Sequence, residues 1–458
     1  MTKLIVKQAY TQETLSEVDM HSANDVENML NIASNLHKSG CLPAYQRIQI
    51  LQKLTTLMQN EAEDLAKLIA NEGGKPLKDA RVEVSRAIDG IHLAIAGIRN
   101  TKGYEVPMDL TPAGEGRLAF TTMEPIGVVV SVSAFNHPLN LIVHQAIPAV
   151  ATGCPVIIKP AEATPLCCLR LAELVKQAGL PEGWLQVAIT DIPNSEKLVT
   201  DSRVAFFSFI GSAKVGWMLK AKLAPGTRCA LEHGGVAPLI FDDYADVDGF
   251  VNGVVKASMY HSGQVCVSVQ RIYVPSAKAA EMAEKIAIVA AQQVVGDAIN
   301  EDTDCGPLII PREVDRVSAW VEEAIAEGAI CVTGGKRINE VSFEPTVLLN
   351  PAKNSKVSTQ EIFGPVVCVY GYDEVDDAIA EANSLDVSFQ AAVFSDNLSF
   401  AMNTAKKLEA SAVMINDYTT FRTDWMPFAG RKHSGYGIGG IGHTMHDMLE
   451  HKMLVIKH

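Results

Sequence analysis

The chain has 458 residues, 48% of them apolar and 20% charged, a globular balance in a length too great for one hydrophobic core, so two or three domains are expected. Its 39 basic and 53 acidic residues leave a net charge of −14, which argues against a nucleic-acid surface because phosphate binding needs a positive field. The longest apolar run, Leu141 to Ile158, is interrupted by His144, Gln145, Pro148, Gly153 and Pro155 and reads as helix, turn and strand rather than as a membrane span.

In chain order, the opening MTKLIVKQAYTQETL shows no apolar core followed by a small-residue cleavage site, so no signal peptide is expected, and the first hundred residues read as helical. Ser22 caps a helix with Asp25 three residues on, and Gly40 ends it. A second helix starts near Pro43, with Ile48, Leu51, Leu54, Leu57 and Met58 at helical spacing. Gly73-Gly74 breaks it, and a third covers about Leu77 to Arg99. Residues 102–122 are polar and extended, punctuated by Pro107, Pro112 and Gly114, and read as an arm or hairpin. From Ile126 strand-like and helix-like stretches alternate every 25–30 residues or so, the pattern of βαβ units on a parallel sheet. A second alternating region spans Ala237 to Met414, and the tail ends in the strand-like MLVIK. Nine scattered cysteines without a CxxC pair fit reduced thiols in a cytoplasmic enzyme. His443, His446 and His451 cluster near the end, but their spacing fits no zinc signature, so no metal is expected.

Several loops place a reactive or polar residue beside an apolar strand: AFNHP (134–138), LEHGG (231–235), SGQVC (262–266) and EIFGP (361–365). Strand-end loops are where α/β folds seat ligands. Taken singly, Cys266 is a lone buried thiol, Glu232 a turn carboxylate and Asn136 a turn-forming amide.

Together with IKPAE (158–162), FIGS (209–212) and PFAGRKHSG (427–435), these segments occur in the order found in the aldehyde dehydrogenase superfamily, which the chain resembles over essentially its whole length. The resemblance implies an α/β fold with a Rossmann-type NAD-binding domain over 1–106 and 125–233, an α/β catalytic domain over 234–436, and a small oligomerisation arm over 107–124 and 437–458. It implies NAD(P)-dependent oxidation of an aldehyde to the acid through a thioester on Cys266. Asn136 and the Cys266 N–H would stabilise the oxyanion, and Glu232 would activate the hydrolytic water. Lys159 and Glu162 match the residues that bind the adenosine ribose, Gly211 and Ser212 those that face the diphosphate, and Glu361 and Phe363 those at the nicotinamide half. A carboxylate at 162 repels a 2′-phosphate, so NAD is favoured, with NADP left open. The assembly implied is a homodimer or homotetramer, with no membrane or nucleic-acid partner. Two other readings stand beside this one. An acyl-transferring, coenzyme A-dependent relative would generally lack Glu232, and a catalytically silent scaffold would have lost Cys266, Glu232 or Asn136.

The chain departs from the family pattern in three places. It has EHGG and Val236 where ELGG and lysine are usual, it lacks the Arg-Glu common after SGYG, and TDIPNSEKL (190–198) lacks the glycines often found there. The stretch INDYTTFRTDWMPFAG (415–430) resembles that of lactaldehyde and phosphonate-type aldehyde dehydrogenases. It offers Arg422 for an anionic or hydroxylated small aldehyde, with His137 and Arg117 assisting; an internal ion pair of Arg422 with Asp424 is the competing reading.

Overall fold

A computed structural model describes residues 2–458. The helical expectation for the first hundred residues fails at its start. Lys3–Lys7 and Thr14–Asp19 form an antiparallel hairpin, its turn held by Gln8 Oε1, which accepts from the N–H groups of Tyr10 and Thr11 at 2.6 and 2.5 Å. A glutamine side chain replaces the Gly or Asn-Gly that would have signalled the turn. The single helix expected from about Pro43 to Gly73-Gly74 is two, Ala44–Asn60 and Ala62–Gly73, broken at Glu61; the other helices of this stretch follow the sequence. Ala23–Ser39 starts on a Ser22–Asp25 capping box and stops at Gly40, and Ala44–Asn60 and Leu77–Asn100 follow.

The chain is α/β throughout, built on two main sheets. The first runs Leu185–Val187, Val156–Lys159, Val128–Val132, Val204–Ile210, Arg228–Glu232, with Gly435–Tyr436 closing one edge. The first five strands are mutually parallel, and only the last is antiparallel. Val128, Val129 and Val130 are buried in succession, as in a sheet covered on both faces. The second sheet has seven strands in the order Ile330–Thr333, Thr346–Leu349, Val366–Tyr372, Val269–Pro275, Ala237–Phe241, Gln390–Phe394, Ala412–Ile415, parallel except for the first pair. Asn136, Lys159, Gly211 and Glu232 sit at or beyond the carboxyl ends of first-sheet strands. Cys266 and Glu361 precede the second-sheet strands Val269–Pro275 and Val366–Tyr372. Ligand-bearing loops of α/β sheets ordinarily lie at carboxyl ends; here one sheet contributes its carboxyl ends and the other its amino ends.

A third, antiparallel sheet pairs Leu449–Lys457 with Arg117–Pro125 over nine residues, with Glu105–Val106 on the other side. Between the Gly435–Tyr436 strand and this tail strand, the helix Ile441–Asp447 packs Ile441 and Met445 into the core under the first sheet. No helix among the described residues is long and apolar enough to cross a membrane.

Candidate active site

The loop before Cys266 is tightly coiled. After the helix Val247–Met259, His261, Ser262 and Gly263 all take left-handed backbone, with φ of 49, 54 and 73°. A Cβ on Gly263 would lie 2.0 Å from the Gly364 carbonyl oxygen, so only glycine fits there. The buried Gln264 side chain ties the coil down. Its Nε2 donates to the carbonyls of His261 and Pro307, both at 3.2 Å, and its Oε1 accepts from the Ile309 N–H at 2.9 Å. The Gln264 carbonyl accepts from Asn136 Nδ2 at 2.9 Å, which brings the asparagine loop of the first sheet onto the cysteine loop of the second. Behind Asn136, Glu83 Oε1 accepts from the N–H groups of Leu139 and Asn140 at 3.0 and 3.1 Å. Its other oxygen pairs with Lys75, both side chains being fully buried.

Cys266 packs against Val265, Val267, Phe389 and Phe428. It keeps a small exposed face, but burial pushes its thiol up to about 12, helped by the charges of Glu361 and Glu232 and opposed by Arg422. Burial likewise raises Glu232 to about 7, against Arg422, and Glu361 to about 8, against the Gly235 N–H and Arg316. Two glycines make room for these acids. A Cβ on Gly439 would lie 2.0 Å from Glu232 Oε1, and one on Gly234 would lie 1.9 Å from Glu361 Oε2. Gly439 exchanges backbone hydrogen bonds of 3.0 and 2.6 Å with Phe428, whose ring lies 4.6 Å from that of Phe389.

Arg422 stacks its guanidinium on the Phe428 ring at 3.4 Å. Burial lowers it to about 10, with Glu232 pulling the other way, and Nη1 has no hydrogen-bond partner among the described residues. The expected alternative, an ion pair with Asp424, is not formed. Asp424 instead binds Arg86 through two bonds of 3.1 and 2.8 Å and His144 Nε2 at 2.8 Å. Burial alone would raise Asp424, but His144 and Arg86 overcome it and hold the carboxyl well below the usual range. His137 joins the cluster, its ring 6.2 Å from Tyr260. Burial, reinforced by the charges of Lys75 and Arg86, keeps it far below the usual histidine value and hence neutral. Arg117 does not join it. It lies on the arm strand opposite Lys457 and donates to the nearby carbonyls of Ala113 and Glu115.

The remaining sequence candidates line the strand ends of the first sheet and the loop facing them. Lys159 ends its strand and donates only to the neighbouring Pro160 carbonyl at 3.0 Å, while Glu162 is exposed. Burial lowers Lys159, and Glu162 opposes the shift. Ser212 precedes the helix Ala213–Lys222 without capping it through its side chain, so the first N–H groups of that helix stay open to an anion. Phe363, at φ 48°, meets Phe135 edge to face with ring centres 5.8 Å apart. Glu361 Oε1 has no partner among the described residues. An unbonded carboxylate oxygen, an open helix terminus and a lysine held only by its neighbour suit the hydroxyls and diphosphate of a dinucleotide. Two of the sequence departures gain a physical account. His233 fills the space over Gly216 and donates from Nδ1 to the Gly211 carbonyl at 2.8 Å, locking the Gly211–Ser212 turn to the Glu232 strand. The glycine-poor stretch after Thr190 is a nine-residue helix, Ile192–Thr200, capped by Asp191.

With this geometry in view, the comparisons are direct. Residues 2–454 match the description "Aldehyde dehydrogenase family", and the chain belongs to that family of NAD(P)-dependent oxidoreductases acting on aldehydes. It is 37% identical over 455 residues to a 3-sulfolactaldehyde dehydrogenase of Priestia aryabhattai, covering 99% of this chain and 95% of that one. The crystal structure of aldehyde dehydrogenase 21 from Physcomitrella patens, in complex with the reaction product succinate, superposes with a TM-score of 0.96 at 33% identity, over 100% of this chain and 95% of that one. That of a glyceraldehyde-3-phosphate dehydrogenase from Methanocaldococcus jannaschii, complexed with NADP, gives 0.94 at 33% identity over 99% of both chains.

Sequence reasoning missed Lys75, Glu83, Arg86, Gln264 and Phe428 as members of this site. The first three lie on or just before the helix Leu77–Asn100. Charged residues on an otherwise apolar helix face were the available signal, and it looks the same as a solvated stripe. The raised Cys266 thiol makes one expectation. In the cofactor-free protein, alkylation of the Cys266 peptide by iodoacetamide, followed by mass spectrometry, rises about tenfold per pH unit from 7 to 9; a plateau by pH 8 would contradict the burial argument.

Proposed function

We propose that this enzyme oxidises a small anionic aldehyde to its carboxylate by a hydrolytic route, with Cys266 as nucleophile, Asn136 and the Cys266 N–H as oxyanion donors, Glu232 as base and Arg422 as receptor for the substrate's anionic group. The observation that carries the substrate assignment is the buried Arg422 guanidinium, with Nη1 unpartnered and the nearest loop carboxylate, Asp424, already committed elsewhere. A buried cation without a counter-ion is costly, and an anionic ligand removes that cost. The sulfolactaldehyde and succinate named for the two relatives carry anionic groups and support the same reading.

The chain's residues act in sequence. Glu232, raised to about 7, takes the Cys266 proton at neutral pH, and the sulfur attacks the aldehyde carbon. The carbonyl electron pair moves onto oxygen, which receives hydrogen bonds from the Cys266 N–H and from the Asn136 N–H not given to Gln264. NAD(P), which Lys159, the helix start after Ser212 and Glu361 would hold, would supply the acceptor for the aldehyde hydrogen and its electron pair, and Cys266 would be left carrying the acyl group as a thioester. Glu232 gives up the thiol proton to solvent and, unprotonated again, withdraws a proton from water; the water oxygen forms the new C–O bond, and the Cys266 thiolate leaves. A pure transfer to coenzyme A needs no base for a hydrolytic water, the second task given to Glu232, and a silent scaffold would have no reason to keep all three groups.

The first sheet with its flanking helices serves as the NAD-binding domain, the second as the catalytic domain. The exposed Met453, Leu454, Val455 and Ile456 on the tail strand support a second copy of the chain covering that arm, in a dimer or tetramer. Nine free cysteines fit a reducing cytoplasm. NAD is the preferred cofactor. The NADP held by the archaeal relative means the fold admits either, so the preference rests on the exposed Glu162 carboxylate.

Four variants and a pH profile test these assignments. Cys266→Ala abolishes turnover; if it does not, the nucleophile is wrong. Glu232→Gln gives at most one equivalent of reduced cofactor per site, with an acyl group on Cys266 by intact mass, and the burst quickens as pH rises. In the wild type, turnover falls as pH drops through about 7, because only the unprotonated base works; absence of both burst and adduct at every pH removes Glu232 from that role. Arg422→Leu raises KM for 4-oxobutanoate roughly tenfold or more while shifting that for butanal within about twofold; equal shifts sink the anion reading. Glu162→Gln narrows the NAD over NADP ratio of kcat/KM, and a wild type that favours NADP overturns the preference.

A further inference from the structure

Arg422 has no bond of its own to fix it, yet it sits in a segment without regular structure, residues 416–430 apart from one isolated bridge at Phe428. Its place must come from the anchors on either side. Upstream, Thr419 Oγ1 donates to the Val267 carbonyl at 2.5 Å, one residue past Cys266, and Tyr418 Oη donates to the Phe250 carbonyl at 3.0 Å. Downstream, Phe428 is bound to Gly439 through backbone alone. Between them, two residues beyond Arg422, is Asp424, the only residue in the segment whose side chain forms an ion pair among the described residues.

Asp424 reaches two helices. Arg86, on Leu77–Asn100, gives it a two-pronged bond; His144, on Asn140–Thr152, donates from Nε2, and Asn140 Nδ2 donates at 3.4 Å. Asn140 also heads the helix whose first N–H groups bind Glu83, so one rigid pair of helices holds both the Asn136 loop and the Arg422 segment.

We propose that Asp424 is the positioning residue for substrate recognition: clamped by Arg86 and His144, it sets Arg422 on the Phe428 ring, facing Cys266 and Glu232, where it meets the anionic end of the aldehyde. The inference rests on the reading of Arg422 given above. It also has a sign that separates it from simple electrostatics. Asp424 is an anion near an anion-binding guanidinium, and Arg86 is a further cation. If charge alone mattered, neutralising Asp424 would strengthen binding of an anionic aldehyde. If Asp424 holds Arg422 in place, the same change weakens it.

The experiment compares Asp424→Asn, Arg422→Leu and the double variant with 4-oxobutanoate and butanal, using the whole enzyme with saturating NAD. Asp424→Asn raises KM for 4-oxobutanoate about tenfold, with KM for butanal within about twofold of wild type. Added to Arg422→Leu it has no further effect on KM for 4-oxobutanoate, because the group it positions is gone. Asp424→Glu, which keeps the charge, recovers some of the loss. A KM for 4-oxobutanoate that falls or stays unchanged overturns the proposal, as does an equal loss on both aldehydes or full additivity in the double variant. If Arg422→Leu itself fails to separate the two aldehydes, the Arg422 reading falls and this inference falls with it. Discrimination by Arg422→Leu but not by Asp424→Asn removes the positioning role alone. Should Asp424→Asn fail to fold, Arg86→Lys, which keeps charge but loses the two-pronged geometry, is read by the same KM split.

Discussion

Three acids and one guanidinium share a dehydrated cleft between the two sheets, and the charge balance among them governs the rest of the site. If Cys266 and Glu232 were both ionised beside Arg422, each would be poorly solvated, and the Glu361 charge would add to the load on Cys266. The protein resolves this by holding protons: the thiol rises to about 12 and the two carboxyls to about 7 and 8. A protonated thiol at rest is protected from oxidation and wasteful alkylation. The cost is that attack requires the proton to leave, and Glu232 is the nearby group poised close to neutrality. The group that tips the balance is Arg422, which favours both the thiolate and the Glu232 carboxylate. An anionic substrate seated on Arg422 would partly cancel that field, so substrate charge and base strength are linked through one side chain.

This charge balance is useful only if the groups stay in register, and they come from different sheets. The bond from Asn136 Nδ2 to the Gln264 carbonyl ties the asparagine loop to the cysteine loop, and the Thr419 bond to the Val267 carbonyl and the clamp of Arg86 and His144 on Asp424 hold the arginine segment in place. These ties draw on buried polar groups whose partners are nearly complete, the condition under which buried polar networks specify geometry. The Lys75–Glu83 pair acts in the same way, a layer deeper. It removes a lysine charge from play and presents a carboxylate to two backbone N–H groups that would otherwise be unsatisfied at a helix start.

Much of this was legible in the sequence because motif residues sit where backbone chemistry marks them. Ser22, Gly40 and Pro43 bound helices as their cap preferences dictate, and the parallel strands appear as unbroken apolar runs. Cys266, Glu232, Asn136 and Glu361 each lie in a segment with Gly or Pro nearby, which singly marks nothing; they could be named only through the order of segments that resembles the aldehyde dehydrogenases. What escaped notice depended on long-range pairing. The N-terminal hairpin turns on a glutamine side chain rather than on a turn residue. The competing reading paired Asp424 with its sequence neighbour Arg422, whereas the structure gives it to Arg86, 338 positions away; local spacing favours the near partner, and only the packed helices reveal the far one. The use of amino-terminal strand ends in the second sheet has no local signature, since it depends on how the two sheets face each other.

The carboxylates of this protein divide by how they are held. Asp424 is fixed by cations and hydrogen bonds, stays ionised, and has no freedom left; it is suited to placing other groups. Glu232 and Glu361 are seated by shape. Each lies against the point where Gly439 or Gly234 would carry a Cβ, and neither forms an ion pair among the described residues. A carboxylate seated by a missing methyl rather than by a partner bears the burial cost as a raised pKa but keeps its lone pairs and its rotation. The base role proposed for Glu232 would call on that freedom, since a rigidly bonded carboxylate could not reach first a thiol proton and then, once that proton is released, one from water. The SGYGIGG sequence, which departs from the family pattern at the position of Gly439, therefore acts through empty space: it gives the Glu232 carboxyl its room, with Arg422 keeping that carboxyl from rising further.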